Sequence, residues 1–495
     1  MHYERSSGIL LHITSLPGKY GIGTMGKEAY QFVDFLVEAG QKIWQILPLG
    51  HTGYGDSPYQ CFSAFAGNPL LIDLDKLVEM ELLTLADLPT ETFDEESVDF
   101  GAVFNYKYPL LKKAYRQFIL QNNKFRLIQF ENFCSRNHNW LEDYAFFMAL
   151  KIHQDGKAWT DWDHLIAIRD KETIGRYREH LSDEINFYRF IQFLFFKQWL
   201  ELKSYANIND IKIFGDIPLY VAFDSADAWA NPELFEFDEN LTPITVAGVP
   251  PDYFSETGQL WGNPIYDWDR LKETGFQWWI DRIQSSFLLY DILRIDHFRG
   301  LAAYWAVPYG EKTAIKGEWV NARGREMLET VVDALGELPI IAENLGVITP
   351  DVEELREDFN MPGMKILQFA FDSGEENEFI PHTYEKNTVV YTGTHDNDTT
   401  LGRFKEASES DKQMMRDYFR IDEDDPAWSF IRLAWSTVSD MAIAPMQDLL
   451  RLDTNARMNF PGKASGFWRW RYKRESLTER HAEDLMKLTR IFGRH

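Results

Sequence analysis

Eight short apolar runs along the chain each give way to polar, Gly or Pro residues. They are GILLHITSLP (8–17), KIWQILPLG (42–50), IKIFGDIPLYV (211–221), DILRIDHFRG (291–300), LPIIAENLG (338–346), MKILQFAF (364–371), TVVYTGTHDND (388–398) and DMAIAPMQDLL (440–450). Near-continuous apolar runs mark strands covered on both faces, whereas half-exposed strands alternate. Helical periodicity fills several intervals, over Glu28 to Ala39, Phe276 to Leu288 and Gly324 to Leu335. Eight such strands alternating with helices predict an α/β fold, a (β/α)8 TIM barrel.

Two intervals, Gly50 to Ile211 and Val221 to Asp291, far exceed the roughly 30 residues of one strand and helix. The first contains helical patterns over Tyr106 to Gln121 and Phe187 to Ser204, so an inserted, mostly helical subdomain is expected at about 51–205. The second is aromatic and Pro-rich, so a loop-rich insertion is expected at about 225–275, over the active site. The chain then reads as one catalytic barrel over 1–495, with both insertions at the C-terminal face.

Barrel enzymes build their sites at the carboxyl ends of the strands. Charged and polar residues gather there in this chain: Asp216 in IFGDIP, Arg294 and Asp296 in LRIDHF, Glu343 in IIAENLG, His395 and Asp396 in YTGTHDND. One such end is readily explained as a surface salt bridge. Four strands carrying acids toward the same mouth imply a shared cavity.

Composition narrows the function classes. With 45% hydrophobic and 26% charged residues the chain is ordinary globular material, and no run is long enough to span a membrane. A formal charge of −26 repels nucleic acid and anionic membranes, so neither is expected as a partner. The start lacks a secretory h-region, which predicts a cytoplasmic protein. Cys61 and Cys134 alone provide neither a disulfide framework nor a metal-binding spacing. Aromatic residues make up 15% of the chain, and many fall in Gly/Pro-rich segments such as GYGDSPYQCF, where they serve either as local packing or as platforms for sugar rings.

Carboxylates clustered with His and Arg suit two chemistries, divalent-metal binding or glycosyl transfer. In the second, one carboxylate attacks the anomeric carbon and a protonated one donates to the leaving oxygen. Arg294, two residues before Asp296, points to the same side of the strand and favours an ionised Asp296. Glu343 follows an apolar run, which favours a raised pKa and the acid role. Spacing alone leaves both chemistries open.

The ordered motifs GILLHITSLPGKYGIG, GYGDSPYQCFSAFAGNP, FGDIPLYV, GVPPDYFSETGQLWGNPIYDW, LRIDHFRG, IIAENLG, GTHDN and RMNFPG resemble the amylomaltase or disproportionating-enzyme family of 4-alpha-glucanotransferases, glycoside hydrolase family 77 of the alpha-amylase clan. The resemblance covers nearly the whole chain. It implies transfer of alpha-1,4-glucan segments between malto-oligosaccharides by a retaining double displacement, with no cofactor and no metal. The alternative is a mainly hydrolytic amylase-like enzyme on the same scaffold. By resemblance, Asp296 is the nucleophile, Glu343 the acid/base and Asp396 the third acid. Asp216, Arg294 and His395 surround the donor glucose, with Tyr59 beneath it as a stacking platform. Asp252 and Trp261 belong to the loop over the cleft, and Tyr54 and Phe369 are further sugar contacts. The tail departs from the family pattern: Lys463 and Phe467 stand where many relatives carry Thr and Asn. None of this fixes an oligomeric state.

Overall fold

The computed structural model describes residues 3–53, 55–251, 255–372, 377–463 and 465–495. Each apolar run supplies one parallel strand: β1 (Ser6–Leu10), β2 (Ile43–Gln45), β3 (Lys212–Ile217), β4 (Ile292–Ile295), β5 (Ile340–Ala342), β6 (Gly363–Ile366), β7 (Thr388–Tyr391) and β8 (Met441–Pro445). The sheet order β6-β7-β8-β1-β2-β3-β4-β5 is the chain order taken cyclically, and every pairing is parallel. The chain is therefore a (β/α)8 barrel. Its seam lies between β5 and β6, where Pro362 has no N–H to give a ladder. There the Ala342 N–H donates to the Pro362 carbonyl at 3.0 Å, and the Met364 N–H donates to the Asn344 side-chain oxygen at 2.8 Å.

The helices that matter below are α1 (Lys27–Glu38), α2 (Phe100–Gln121), α3 (Lys124–Arg136), α4 (His138–His153), α5 (Ser182–Ile208), α6 (Gln277–Leu289), α7 (Gly324–Leu335), α8 (Pro350–Asp358), α9 (Pro426–Ser436) and α10 (Glu479–Phe492). Helices α2 to α5 all fall between β2 and β3. Local chemistry sets their ends: the Asp99 side chain caps α2 by accepting from the Ala102 N–H, and Asn123 caps α3 by accepting from the Phe125 and Arg126 N–H groups. Among the described residues no helix is long and apolar enough to cross a membrane.

Alternation along the strands divides the core in two. Leu10, Ile43, Phe214, Ile292, Ile341, Met364, Val389 and Met441 come one from each strand and meet in a single buried cluster, the barrel interior. Their neighbours Ile9, Ile213, Leu293, Ile340, Val390 and Ala442 face the helices, in a second cluster with Phe32 and Leu36 of α1. Both faces are apolar, which is why the sequence runs do not alternate. Gly215 makes room on the outer face of β3: a Cβ there would lie 2.1 Å from the Tyr290 ring.

Two features differ from the sequence reading. The strands are shorter than the apolar runs, because pairing stops where the chain turns outward to build the mouth. The 225–275 stretch is not only loops: Thr245–Val249 and Gln259–Pro264 pair antiparallel, within a four-stranded sheet completed by Ala303–Pro308 and Glu318–Asn321. Two of those strands come from beyond β4, so the pairing is long-range, and Gly248, Gly262 and Pro264 mask the alternation.

The chain terminus closes the amino end of the barrel. Arg494 is fully buried and donates to the carbonyls of Ser6 (3.0 Å), Trp435 (2.8 Å), Thr437 (3.1 Å) and Ser439 (3.0 Å), tying β1 to the end of α9. Burial pushes its pKa down to about 9. Arg494→Met would leave these acceptors without donors. The expected loss is about 3 kcal/mol in a urea-denaturation measurement; an unchanged midpoint would show that the clasp contributes nothing.

Candidate active site

Register explains how the strand-end charges meet. Asp216 on β3 lies directly beside Arg294 on β4, and Ile295 pairs with Ala342, so Asp296 and Glu343 are the next two residues across the same pair of strands. The ladder continues through them, since the Glu343 N–H donates to the Ile295 carbonyl at 3.2 Å and the Asp296 N–H to the Ile217 carbonyl at 2.9 Å. Phe214 and Ile292 point inward, so Asp216, Arg294 and Asp296, two and four residues on, do too. The Arg294 guanidinium bridges two carboxylates, Asp216 at 2.6 Å and Asp296 at 2.7 Å. The Tyr59 hydroxyl also donates to Asp216, at 2.7 Å, fixing that ring at the mouth.

Glu343 is held by backbone donors. One oxygen accepts from the His297 N–H at 2.8 Å and the other from the Leu345 N–H at 2.9 Å. His297 adopts φ 55°, a left-handed conformation costly for a non-glycine residue, and its amide reaches Glu343 from that turn. Burial raises the Glu343 carboxyl to about 7, against the opposing pull of Arg294 and the two amides. Asp296, whose side chain keeps 30% exposure at the cleft, is raised as well, its partial desolvation working against its ion pair with Arg294. The ion pair foreseen from the two-residue spacing is present, but desolvation outweighs it. The two carboxyls titrate as a pair, both raised above the usual carboxylate range.

Asp396 and His395 follow β7. Asp396 accepts from the Asn459 side-chain amide at 2.6 Å and lies 3.5 Å from His395 Nε2. The His395 ring stacks on Tyr59, with centroids 5.3 Å apart and planes at 15°, and Trp468 packs on both. Tyr59, Asp296, His395, Asp396 and Trp261 line one open cleft of about 580 Å³. Trp261 stands on the Gln259–Pro264 strand, edge-on to His297 at 4.7 Å. Arg294, Asp216 and Glu343 lie buried beneath the cleft floor. Phe369 packs on the barrel-interior cluster and edge-on to Phe379 at 5.4 Å, and it is not among the residues lining the cleft. Tyr54 and Asp252 lie outside the described residues, as do Tyr253 and Phe254.

Sequence reasoning missed three contributors. Asn459 and Arg457 grip Asp396, the latter by donating to its carbonyl at 2.6 Å, and Trp468 forms a wall of the cleft. Their signal was the RMNFPG motif and the aromatic FWRW that follows it. Lys463 lies over the Phe460 ring at 3.9 Å, and both line the cleft.

A (β/α)8 barrel whose strand ends gather an arginine and four carboxylates at and beneath one aromatic-walled cleft has the architecture of a barrel enzyme acting on carbohydrate. The 4-alpha-glucanotransferase family model matches residues 11–478. The chain is 51% identical to a 4-alpha-glucanotransferase of Synechocystis over 99% of its own length and 98% of that protein's, and 49% identical to one of Clostridium butyricum over 98% and 100%. Its structure superposes on an amylomaltase of Streptococcus agalactiae, solved in complex with acarbose, with a TM-score of 0.96, 46% identity, and coverage of 99% of this chain and 100% of that one. The chain belongs to the 4-alpha-glucanotransferase family and is a glycosyl-transferring enzyme of the amylomaltase type.

The two carboxyls set a pH prediction. Were Asp296 to act ionised and Glu343 protonated, as the family resemblance implies, activity should fall on the acid side as the pair takes up a proton and on the alkaline side as it loses one, with the limbs near 6 and 7. A pH profile of kcat/KM should therefore be bell-shaped; a profile flat from pH 5 to pH 9, roughly the range over which such groups titrate, would contradict the assignment.

Proposed function

We propose that Asp296 and Glu343 carry out transfer of alpha-1,4-glucan segments as a retaining pair. The observation that carries this reading is their position as register neighbours on adjacent strands, about 5 Å apart at the backbone, with Asp296 ion-paired and Glu343 buried. An Asp296 oxygen attacks the anomeric carbon of the donor. The glycosidic C–O bond breaks, its electron pair stays on the departing oxygen, and that oxygen takes the Glu343 proton. In the second half, Glu343 takes a proton from an acceptor hydroxyl, whose oxygen attacks the anomeric carbon and frees the Asp296 carboxylate. Two inversions give net retention, and a sugar hydroxyl takes the place of water.

The other side chains bind and orient. Arg294 and Asp216 fix Asp296, and Asp396, held by Asn459, faces the sugar hydroxyls as the third acid. Tyr59 offers a ring at the cleft floor, with His395 stacked against it. Trp261 and His297 form an aromatic wall that favours a bound sugar over water at the acceptor position. Tyr54 and Asp252 complete the proposed sugar contacts, whereas Phe369, packed against Phe379 and away from the cleft lining, is not retained among them. Malto-oligosaccharides and alpha-1,4-glucans are the assigned substrates, and no nucleic acid or membrane partner accords with the −26 charge. Two free thiols, Cys61 and Cys134, accord with a cytoplasmic location.

Purified protein given maltotriose alone, with a chelator present, should yield glucose and a ladder of longer oligosaccharides; glucose and maltose without a ladder would instead make it a hydrolase. Glu343→Gln keeps size and hydrogen bonding but has no proton to transfer, so maltotriose turnover should fall by about a hundred- to ten-thousand-fold. An alpha-glucosyl fluoride needs little protonation to leave. With it the variant should accumulate one glycosyl unit, found by mass spectrometry on the LRIDHF peptide at Asp296. An adduct on Asp396, or full maltotriose activity, would overturn the roles.

A further inference from the structure

Branched apolar side chains usually fill the inward-facing positions of a (β/α)8 barrel. Two such positions here are polar, and neither lines the cleft: Gln45 on β2, two residues after Ile43, and Tyr391 on β7, two residues after Val389. Both are buried, as is Asp216 on β3. Each of the three keeps one polar atom without a hydrogen bond among the described residues, namely Gln45 Oε1, Tyr391 Oη and Asp216 Oδ1. Asp216 uses only its other oxygen, which accepts from Arg294 at 2.6 Å and from Tyr59 at 2.7 Å.

The three side chains converge on one layer of the interior. Arg294 spans it from β4 toward β6, where its Nε lies 3.4 Å from Met364 Sδ, and Met364 is the register partner of Val389 on β7. Tyr391, two residues beyond Val389, therefore meets the Arg294 array from the far wall. Burial pushes the Tyr391 hydroxyl pKa up, and Arg294, Gln45 and Asp216 all act on that hydroxyl. Buried polar atoms are nearly always paired, with protein or with ordered water. One donor and two acceptors suit a single water, which accepts the Tyr391 O–H and gives its two hydrogens to Asp216 Oδ1 and Gln45 Oε1. Tyr290 is the other tyrosine near Asp216, but its ring packs at Gly215 on the outer face of β3 and its oxygen accepts from the Leu49 N–H at 3.3 Å.

We infer that Tyr391 is a positioning residue of the transfer reaction, supplying the free oxygen of Asp216 with a donor through one ordered water that Gln45 shares. The inference rests on the roles proposed for Asp296 and Glu343. Asp216 and Asp296 compete for one guanidinium. With the water on its second oxygen, Asp216 is satisfied by three donors and leaves the other arm of Arg294 to Asp296. Without it, Asp216 draws Arg294 toward itself. The charged and titratable groups around Asp296 are Arg294, Asp216, Asp396, His395 and Glu343, and only Arg294 among them is a permanent cation. A weaker hold by Arg294 therefore lets Asp296 take up a proton more readily.

Tyr391→Phe keeps the ring and its packing and removes only the hydroxyl. Its kcat on maltotriose should fall about tenfold to a hundredfold with KM little changed, and the acid limb of its kcat/KM profile should move to higher pH. A crystal structure of the wild-type chain should show one water within hydrogen-bond distance of Tyr391 Oη and Asp216 Oδ1, and the variant should lack it. Unchanged kcat with an unmoved acid limb would overturn the inference, as would a wild-type interior without that water. So would an acid limb displaced by Tyr290→Phe and not by Tyr391→Phe. A wild-type profile with no acid limb would count against the roles of Asp296 and Glu343 instead, and the water together with the kcat of Tyr391→Phe would still decide the part played by Tyr391.

Discussion

Arg294 stands between Asp216 at 2.6 Å and Asp296 at 2.7 Å, at the level where the barrel interior changes from apolar layers to polar ones. Placing three charges there is costly unless they satisfy one another. A guanidinium suits the position because its planar fork serves two carboxylates at once, where an ammonium would act as a single point. The strands must therefore keep their register, since Asp216 and Arg294 are direct partners across β3 and β4. Tyr59 is bound to the same array through Asp216, so the loop that carries it is positioned by the barrel's own charges.

Glu343 depends on the same array from the next strand. Its burial raises its pKa, its amide contacts fix its direction, and Arg294 limits how far that pKa rises. Asn344, the following residue, accepts from Met364 across the seam that Pro362 opens, and donates to Glu353 of α8 at 2.8 Å. Closing the barrel and orienting the Glu343 carboxyl are thus achieved by consecutive residues. On the opposite rim, Asp396 is positioned by the tail through Asn459 and Arg457, so the C-terminal segment forms part of the site.

All eight strands and the charges at their ends were legible because a strand buried on both faces has few polar residues until it ends, and LRIDHF and IIAENLG announce that end by themselves. The pairing of Arg294 with Asp296 followed from a two-residue spacing. Its partner Asp216, on another strand, could be placed beside it only once the register was known. The four-stranded sheet bearing Trp261 was not legible, since half of it lies beyond β4 and glycines interrupt its alternation. Asn459 and Trp468 were also hidden: a lone amide and a lone indole in a Gly/Pro-rich tail gain meaning only from what the fold sets opposite them. The sequence placed Asp296 toward the ionised form, yet the desolvation that raises its pKa despite the ion pair is a property of packing.

The claim that Arg294 organises the site is tested most directly by Arg294→Lys, measured as the pH profile of kcat/KM on maltotriose. Lysine keeps the charge but loses the fork, so one carboxylate is left poorly paired. kcat/KM should fall at least about a thousandfold, with the acid limb displaced to higher pH because Asp296 loses part of what holds it ionised. Near-wild-type kcat/KM with an unmoved acid limb would contradict it.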